Sequence, residues 1–230
     1  GGQMENIVLQ LTHPQVDEAA LFRTLHMEAE TEENAEDVAA VRRMLTEALA
    51  VARPKAVYRL ALVTERGSDY VLADGVRLTS ALVSRNLEHT RRIVPYVATC
   101  GVEAEQWSAA YDSDPLEQFW ADTIKLMLLT AVRTEMLQAI RRDYFPQRDL
   151  SNMRPGSISA WPLSQQEALF RLMGDVAGTV GVTLTASSLM LPSKSISGFY
   201  FSAEEHFETC RYCPLLHCPS RQEAYRGPAD

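Results

Sequence analysis

The chain has 230 residues, of which 46% are hydrophobic and 23% charged, and its formal net charge is −8. This composition suits one large globular domain or two small ones with a sizeable core, and excludes a disordered or fibrous chain. The acidic balance, with no dense Lys/Arg stripe, argues against nucleic-acid binding, and no apolar run is long enough to span a bilayer.

The N-terminus lacks a basic stretch followed by an apolar one, so a cytoplasmic location is expected. In that compartment the four cysteines, Cys100, Cys210, Cys213 and Cys218, read as thiols or metal ligands rather than a disulfide framework.

Residues 14–30 are helix-prone. A clearer helix is expected from about Glu36 to Ala52, with Val38, Val41, Leu45 and Leu49 on one face and Pro54 closing it. The six acids from Glu28 to Asp37 read as a solvated connection. Val57 to Val63 is β-rich, and the turn at Gly67-Ser68-Asp69 leads into Tyr70-Val71-Leu72 as a hairpin. Asp74-Gly75 signals a second turn. Leu78 to Leu87 reads as a short helix, followed by a strand from Ile93 to Thr99 that ends at Cys100-Gly101.

The longest helix is expected from Pro115 to about Tyr144. Asp114 suits the N-cap, Pro115 the first helical position, and Glu117 the first turn, while Pro146 stops it. Phe119, Trp120, Ile124, Met127, Leu128 and Ala131 give it a broad apolar face. Ser164 with Glu167 forms a capping-box pattern for a helix through Met173. Short strands are expected near Val182–Leu184, Leu189–Leu191 and Ser195–Phe201. Hairpins mixed with uncoupled helices indicate an α+β fold rather than regular βαβ alternation.

The segment from Arg154 to Ser202 carries the most chemistry. Its motifs are Met153-Arg154-Pro155-Gly156-Ser157, Trp161-Pro162-Leu163, Gln166, Leu169-Phe170, Gly181-Val182-Thr183-Leu184-Thr185, Ser187 and Lys194-Ser195-Ile196-Ser197-Gly198. Together they resemble the reactivation (activation) domain of cobalamin-dependent methionine synthase. Ser80 to Leu87 followed by Ala98-Thr99-Cys100-Gly101 is similar to the family's helix and strand end. The resemblance covers about residues 54–202, which divides the chain into an N-terminal helical segment (1–53), a core (54–202) and a cysteine-containing tail (203–230).

The resemblance implies an α+β unit with a twisted antiparallel sheet and flanking helices. It implies S-adenosylmethionine binding, and docking on a corrinoid (cobalamin) protein so that oxidised cobalt is reduced and remethylated. No Asp-x-His-x-x-Gly cobalt-ligand motif is present, so a stand-alone relative acting on a separate corrinoid protein is expected. Such a protein is an accessory component and need not be an enzyme by itself.

The cofactor-facing residues implied are Arg154, Gly156, Ser157, Trp161, Lys194, Ser195, Ser197 and Gly198. Arg154 is suited to a carboxylate through its planar fork, and Lys194 to Gly198 offers hydroxyls, a cation and a flexible backbone. The alternative for that run is an edge strand with solvent-facing serines. One departure from the family stands out. Pro155-Gly156-Ser157-Ile158-Ser159 follows Arg154 where the family has a glycine-tyrosine pair, so the aromatic contact is missing.

The spacing Cys210-x2-Cys213-x4-Cys218 offers two thiolates from one tight turn and a third close by. Cys100, His206, His217 or an exogenous group is a candidate fourth ligand, for zinc or an iron–sulfur cluster. Two other readings of the chain are a redox metalloprotein using this cluster, and a non-catalytic corrinoid or S-adenosylmethionine sensor. Iron, sulfide and zinc analysis of anaerobically purified protein is the test. Bound metal lost on replacing Cys210 and Cys213 is the expected outcome, and a metal-free, colourless preparation rejects the metal reading.

Overall fold

The computed structural model describes residues 5–202. Its spine is β6 (Arg92–Thr99), an apolar run hydrogen-bonded on both edges. On one edge lies β10 (Ser195–Phe201), antiparallel, with Ser195 opposite Thr99 and Gly198 opposite Tyr96. On the other lie β2 (Lys55–Tyr58) and β3 (Ala61–Arg66), which share the length of β6 between them.

The sheet widens beyond this pair. β1 (Ile7–Gln10) pairs with β2, β4 (Tyr70–Ala73) with β3, and β5 (Val76–Thr79) with β4, while β7 (Ser151–Met153) pairs with β10. All these pairings are antiparallel, and β3 carries an irregularity between Val63 and Glu65. Such bulges increase local twist and curl a sheet. The result is a curled antiparallel sheet with helices, an α+β fold as expected.

Both faces are covered, which explains why β6 is apolar without alternation. One face carries Val94, Tyr96, Ala98 and Tyr200 and packs on Val132, Met136 and Ile140 of α5 (Pro115–Tyr144). The other face carries Ile93, Phe199 and Phe201, packed with Trp161, Leu172 and Met153, and Val97, packed with Val176 and Val180. Leu172 belongs to α6 (Gln166–Met173), Val176 and Val180 to α7 (Val176–Val180), while Met153 ends β7 and Trp161 lies in the loop after it. A separate helical cluster joins α1 (Glu18–Thr24), α2 (Ala35–Val51), α4 (Val102–Ser108) and the first half of α5.

Several elements follow the sequence closely. α5 starts at Pro115 with the Asp114 carboxylate accepting from Leu116 N–H (2.8 Å) and Glu117 N–H (3.1 Å). Asp74 and Gly75 adopt φ of 45° and 82°, the left-handed pair that a two-residue β4–β5 hairpin requires. β8 (Thr183–Leu184) and β9 (Met190–Leu191) fall where short strands are expected, and they pair as a small hairpin.

Other expectations are corrected. The Val57–Val63 run is two strands, β2 ending at Tyr58 and β3 starting at Ala61: Arg59 N–H still donates to the Pro95 carbonyl (3.3 Å), but Pro95 has no N–H to return. Leu78 and Thr79 belong to β5, and the helix is α3 (Ala81–Asn86), capped by the Ser80 hydroxyl accepting from Val83 N–H (3.2 Å). The Ser164–Glu167 capping box does not form: Leu163–Gln165 is a 3-10 turn, and Glu167 instead accepts from the Ser188 hydroxyl (3.4 Å). Phe119 is half exposed rather than part of the buried face.

The cap at Asp114 supports the start of the element that covers one whole face of the sheet. Asp114→Ala is expected to lower unfolding stability by about 1 kcal/mol, read as a lower urea midpoint with an unchanged slope.

Candidate functional site

Arg154 leaves the sheet directly after β7 and turns back over β10. The reason is Gly198. A Cβ there would lie 2.3 Å from the Met153 carbonyl, 2.8 Å from Arg154 Cγ and 2.9 Å from the Tyr96 hydroxyl. No other residue lets the Arg154 stem and the Tyr96 ring approach the strand so closely. Tyr96 stacks on Tyr200 at 4.7 Å between ring centroids, and its hydroxyl donates to Asn152 Oδ1 (2.8 Å). Burial and the neighbouring Tyr200 push the Tyr96 phenol well above its ordinary range, against the opposing charges of Arg154 and Arg133. Tyr96 therefore stays a neutral donor.

The loop after Arg154 is fixed by its own hydrogen bonds. Gly156 N–H donates to the Trp161 carbonyl (2.8 Å), and Ser157 N–H to the Arg154 carbonyl (3.3 Å). Gly156 has φ of 83°, and a Cβ there would meet Leu163 at 2.9 Å. From α3, the Ser80 hydroxyl holds the Ala160 carbonyl at 2.7 Å. Gly156 is exposed and Ser157 half-buried, so the tip of the loop is open to a ligand. Trp161 is fully buried against Phe199. It anchors the loop from beneath.

The Lys194–Gly198 run divides by strand parity. Ser195 and Ser197 are buried and point to the face opposite Gly198. The Ser195 hydroxyl donates to the Pro192 carbonyl (2.7 Å) and lies 2.8 Å from Thr99 Oγ1. The Ser197 hydroxyl donates to Gln166 Oε1, and Gln166 Nε2 donates to the Ser188 carbonyl (2.6 Å). These bonds tie β10 to α6 and to the turn before β9, so the serines are not the solvent-facing ones of an edge strand. Lys194 is half-buried; its carbonyl accepts from Cys100 N–H (2.9 Å), and its side chain lines a depression against α5 with Phe119, Asp122 and Thr130.

That depression shares Met127 and Thr130 with a groove of about 630 Å³ between α5 and the segment Leu11–Asp17. Thr130 and Thr134 line this groove and flank Arg133, the residue whose charge reaches Tyr96 beside Arg154. Sequence reasoning did not single out Tyr96, Asn152, Tyr200 or Arg133. Within an apolar run Tyr96 reads as ordinary core, and nothing in the local pattern brings Arg133 to Arg154.

Cys100 closes β6 and is buried in the helical cluster. Burial pushes its thiol up to about 12, with Lys125 opposing. A thiolate ligand is disfavoured in such surroundings. Cys210, Cys213, Cys218, His206 and His217 lie outside the described residues. Among the described residues, no group of three or more His, Cys, Asp or Glu could hold a metal.

The fold and site define an α+β protein in which a rigid, arginine-bearing loop sits over the glycine of an inner strand, beside a long-helix groove. Residues 68–212, well over half of the chain, match the family described as "Vitamin B12 dependent methionine synthase, activation domain", and the chain belongs to that family. Among solved structures it is similar in fold to the crystal structure of the MetH reactivation domain bound to AdoHcy. The two share 16% identity over 90% of this chain and 82% of that one, with a TM-score of 0.63. No curated protein matches the chain. Among the described residues no helix is long and apolar enough to cross a membrane.

The buried thiol has a pH consequence. An unfolded thiol ionises near 9.0 and the folded one near 12, so above pH 9 the unfolded state releases the proton first. Stability from this group is present below pH 9 and is lost as pH rises toward 12. Cys100→Ala is expected to flatten the fall in urea midpoint across that window.

Proposed function

We propose that this protein binds S-adenosylmethionine at the Arg154 loop and docks on a cobalamin-binding protein to support its reductive reactivation and methylation. The observation that carries this reading is the seating of Arg154 over Gly198, next to Tyr96, in a chain of the activation-domain family. The likeness to a reactivation domain bound to AdoHcy supports the same ligand class.

The residues present fit such a ligand in part. The Arg154 fork would pair with the ligand carboxylate, and the exposed Gly156 and half-buried Ser157 would receive polar groups at the loop tip. Ser157 offers a hydroxyl but no aromatic face. The ligand supplies the methyl group, while the protein supplies orientation and charge. Trp161, Ser195, Ser197 and Gly198 hold the loop and strand in register, and Lys194 adds a cation at the far end of β10.

The groove along α5 would receive part of a corrinoid partner, and Arg133 on the same helix would turn its charge toward Tyr96 and Arg154. Action as a separate chain on that partner, in the cytoplasm, belongs to the same proposal. So does a metal on Cys210, Cys213 and Cys218, with Cys100 the least suited of the four because of its burial.

Calorimetry with S-adenosylmethionine tests the ligand half. Wild type should bind, and Arg154→Ala should weaken binding about tenfold or more, the scale of a lost charge-assisted contact. Mixing the protein with a corrinoid protein, a reductant and S-adenosylmethionine tests the other half. Faster conversion of oxidised to methylated cobalamin in the visible spectrum is expected. No retained partner and no ligand heat would overturn the reading.

A further inference from the structure

Tyr96 and Asn152 are polar residues in an apolar layer. Tyr96 lies among Val94, Ala98, Val132 and Met136 on the sheet face that packs against α5, and Asn152 joins that face opposite Tyr200. The two are 0% and 1% exposed. Burying a phenol and an amide is costly unless they bond each other. Even bonded, they hold a core no better than apolar side chains of the same shape. Packing alone gives no reason for the pair.

The strand register shows where the phenol is aimed. Gly198 stands opposite Tyr96 of β6, and Phe199 opposite Met153 of β7, so Arg154 comes level with Gly198 on the far side of β10. With no Cβ at Gly198, Tyr96 reaches across β10 and its hydroxyl donates to Asn152 Oδ1 (2.8 Å). The hydroxyl oxygen and Arg154 Cγ then close on the point where a Gly198 Cβ would stand, at 2.9 and 2.8 Å from it. The phenol proton is committed to Asn152, so the oxygen lone pairs are what Tyr96 has left to offer. The charge of Arg154 acts on the same oxygen. Tyr200, stacked at 4.7 Å between ring centroids, keeps the ring from swinging away.

We infer that Tyr96, held by Asn152 and Tyr200, is a positioning residue: it braces the Arg154 side chain so that the guanidinium meets the carboxylate of the bound nucleoside. Tyr96 is fully buried and out of reach of any ligand, so it acts through Arg154 alone. The role rests on the proposed binding of S-adenosylmethionine at the Arg154 loop.

The test compares S-adenosylmethionine with decarboxylated S-adenosylmethionine, which keeps the nucleoside, sulfonium and ammonium and lacks only the carboxylate. In calorimetry on the full chain, wild type should prefer S-adenosylmethionine by about tenfold or more, the scale of a charge-assisted contact. Arg154→Ala should bind the two alike. Tyr96→Phe keeps the ring and its stack, and should lose most of the preference while binding the decarboxylated nucleoside as wild type does. Combined with Arg154→Ala it should add nothing, because both residues act on one contact. A purely structural Tyr96 would weaken both nucleosides by the same factor and leave the preference at its wild-type value, and that result overturns the role.

Tyr96→Phe leaves Asn152 Oδ1 without its donor, so a measurement on wild type accompanies it. Nuclear Overhauser contacts between the Arg154 stem and the Tyr96 ring are expected in the free protein, and their absence overturns the role whether or not the variant folds. If wild type binds neither nucleoside, the ligand reading fails on its own, and the Overhauser contacts still decide whether Tyr96 braces Arg154.

Discussion

The rest of the structure depends on β6 being hydrogen-bonded along both edges and covered on both faces. A strand in that position has no solvent side on which to place polar residues, so every side chain from Ile93 to Thr99 is buried. Its edges then dictate the remainder. One edge must be supplied by two shorter strands, β2 and β3, and the break between them sends Arg59 into the α6 terminus. The other edge takes β10, whose parity divides Ser195, Ser197 and Phe199 from Gly198 and Tyr200.

That division gives the strand two unlike faces. On one face the serines are tied to Thr99 and Gln166, and this fixes the strand without presenting hydroxyls to a ligand. On the other, the missing side chain of Gly198 admits Arg154 beside Tyr96. The Arg154 side chain is held next to the neutral Tyr96 phenol. In the proposed function this arrangement would place charge and shape where a partner's cofactor and a methyl donor can meet.

The α5 helix serves two surfaces at once. Its inner side buries Val132, Met136 and Ile140 against the sheet, while Met127, Thr130 and Thr134 line the outer groove. This double duty explains why its apolar residues do not fall on one narrow stripe, and why Phe119, expected in the core, stands half exposed at the groove's neighbouring depression. A periodicity argument treats every apolar residue on a helix as core-facing, whereas a helix that also lines an open groove breaks that rule.

Local chemistry in the sequence settled the elements whose signals are self-contained: the Asp114-Pro115 start of α5, the Asp74-Gly75 turn, the β10 run and the short strands β8 and β9. The ordered motifs from Met153 to Gly198 also carried the family, because they recur at fixed spacing whatever surrounds them. Short elements with weak patterns, such as β1, β5, β7, α4 and α7, were not legible, since a strand of three or four residues is defined by its partner rather than by itself. Which serines face inward, which glycine admits an arginine, and which tyrosine reaches across it were decided only by tertiary structure. Those properties depend on strand parity and on contacts between residues as far apart as Tyr96 and Asn152, and no local pattern in a single chain encodes them.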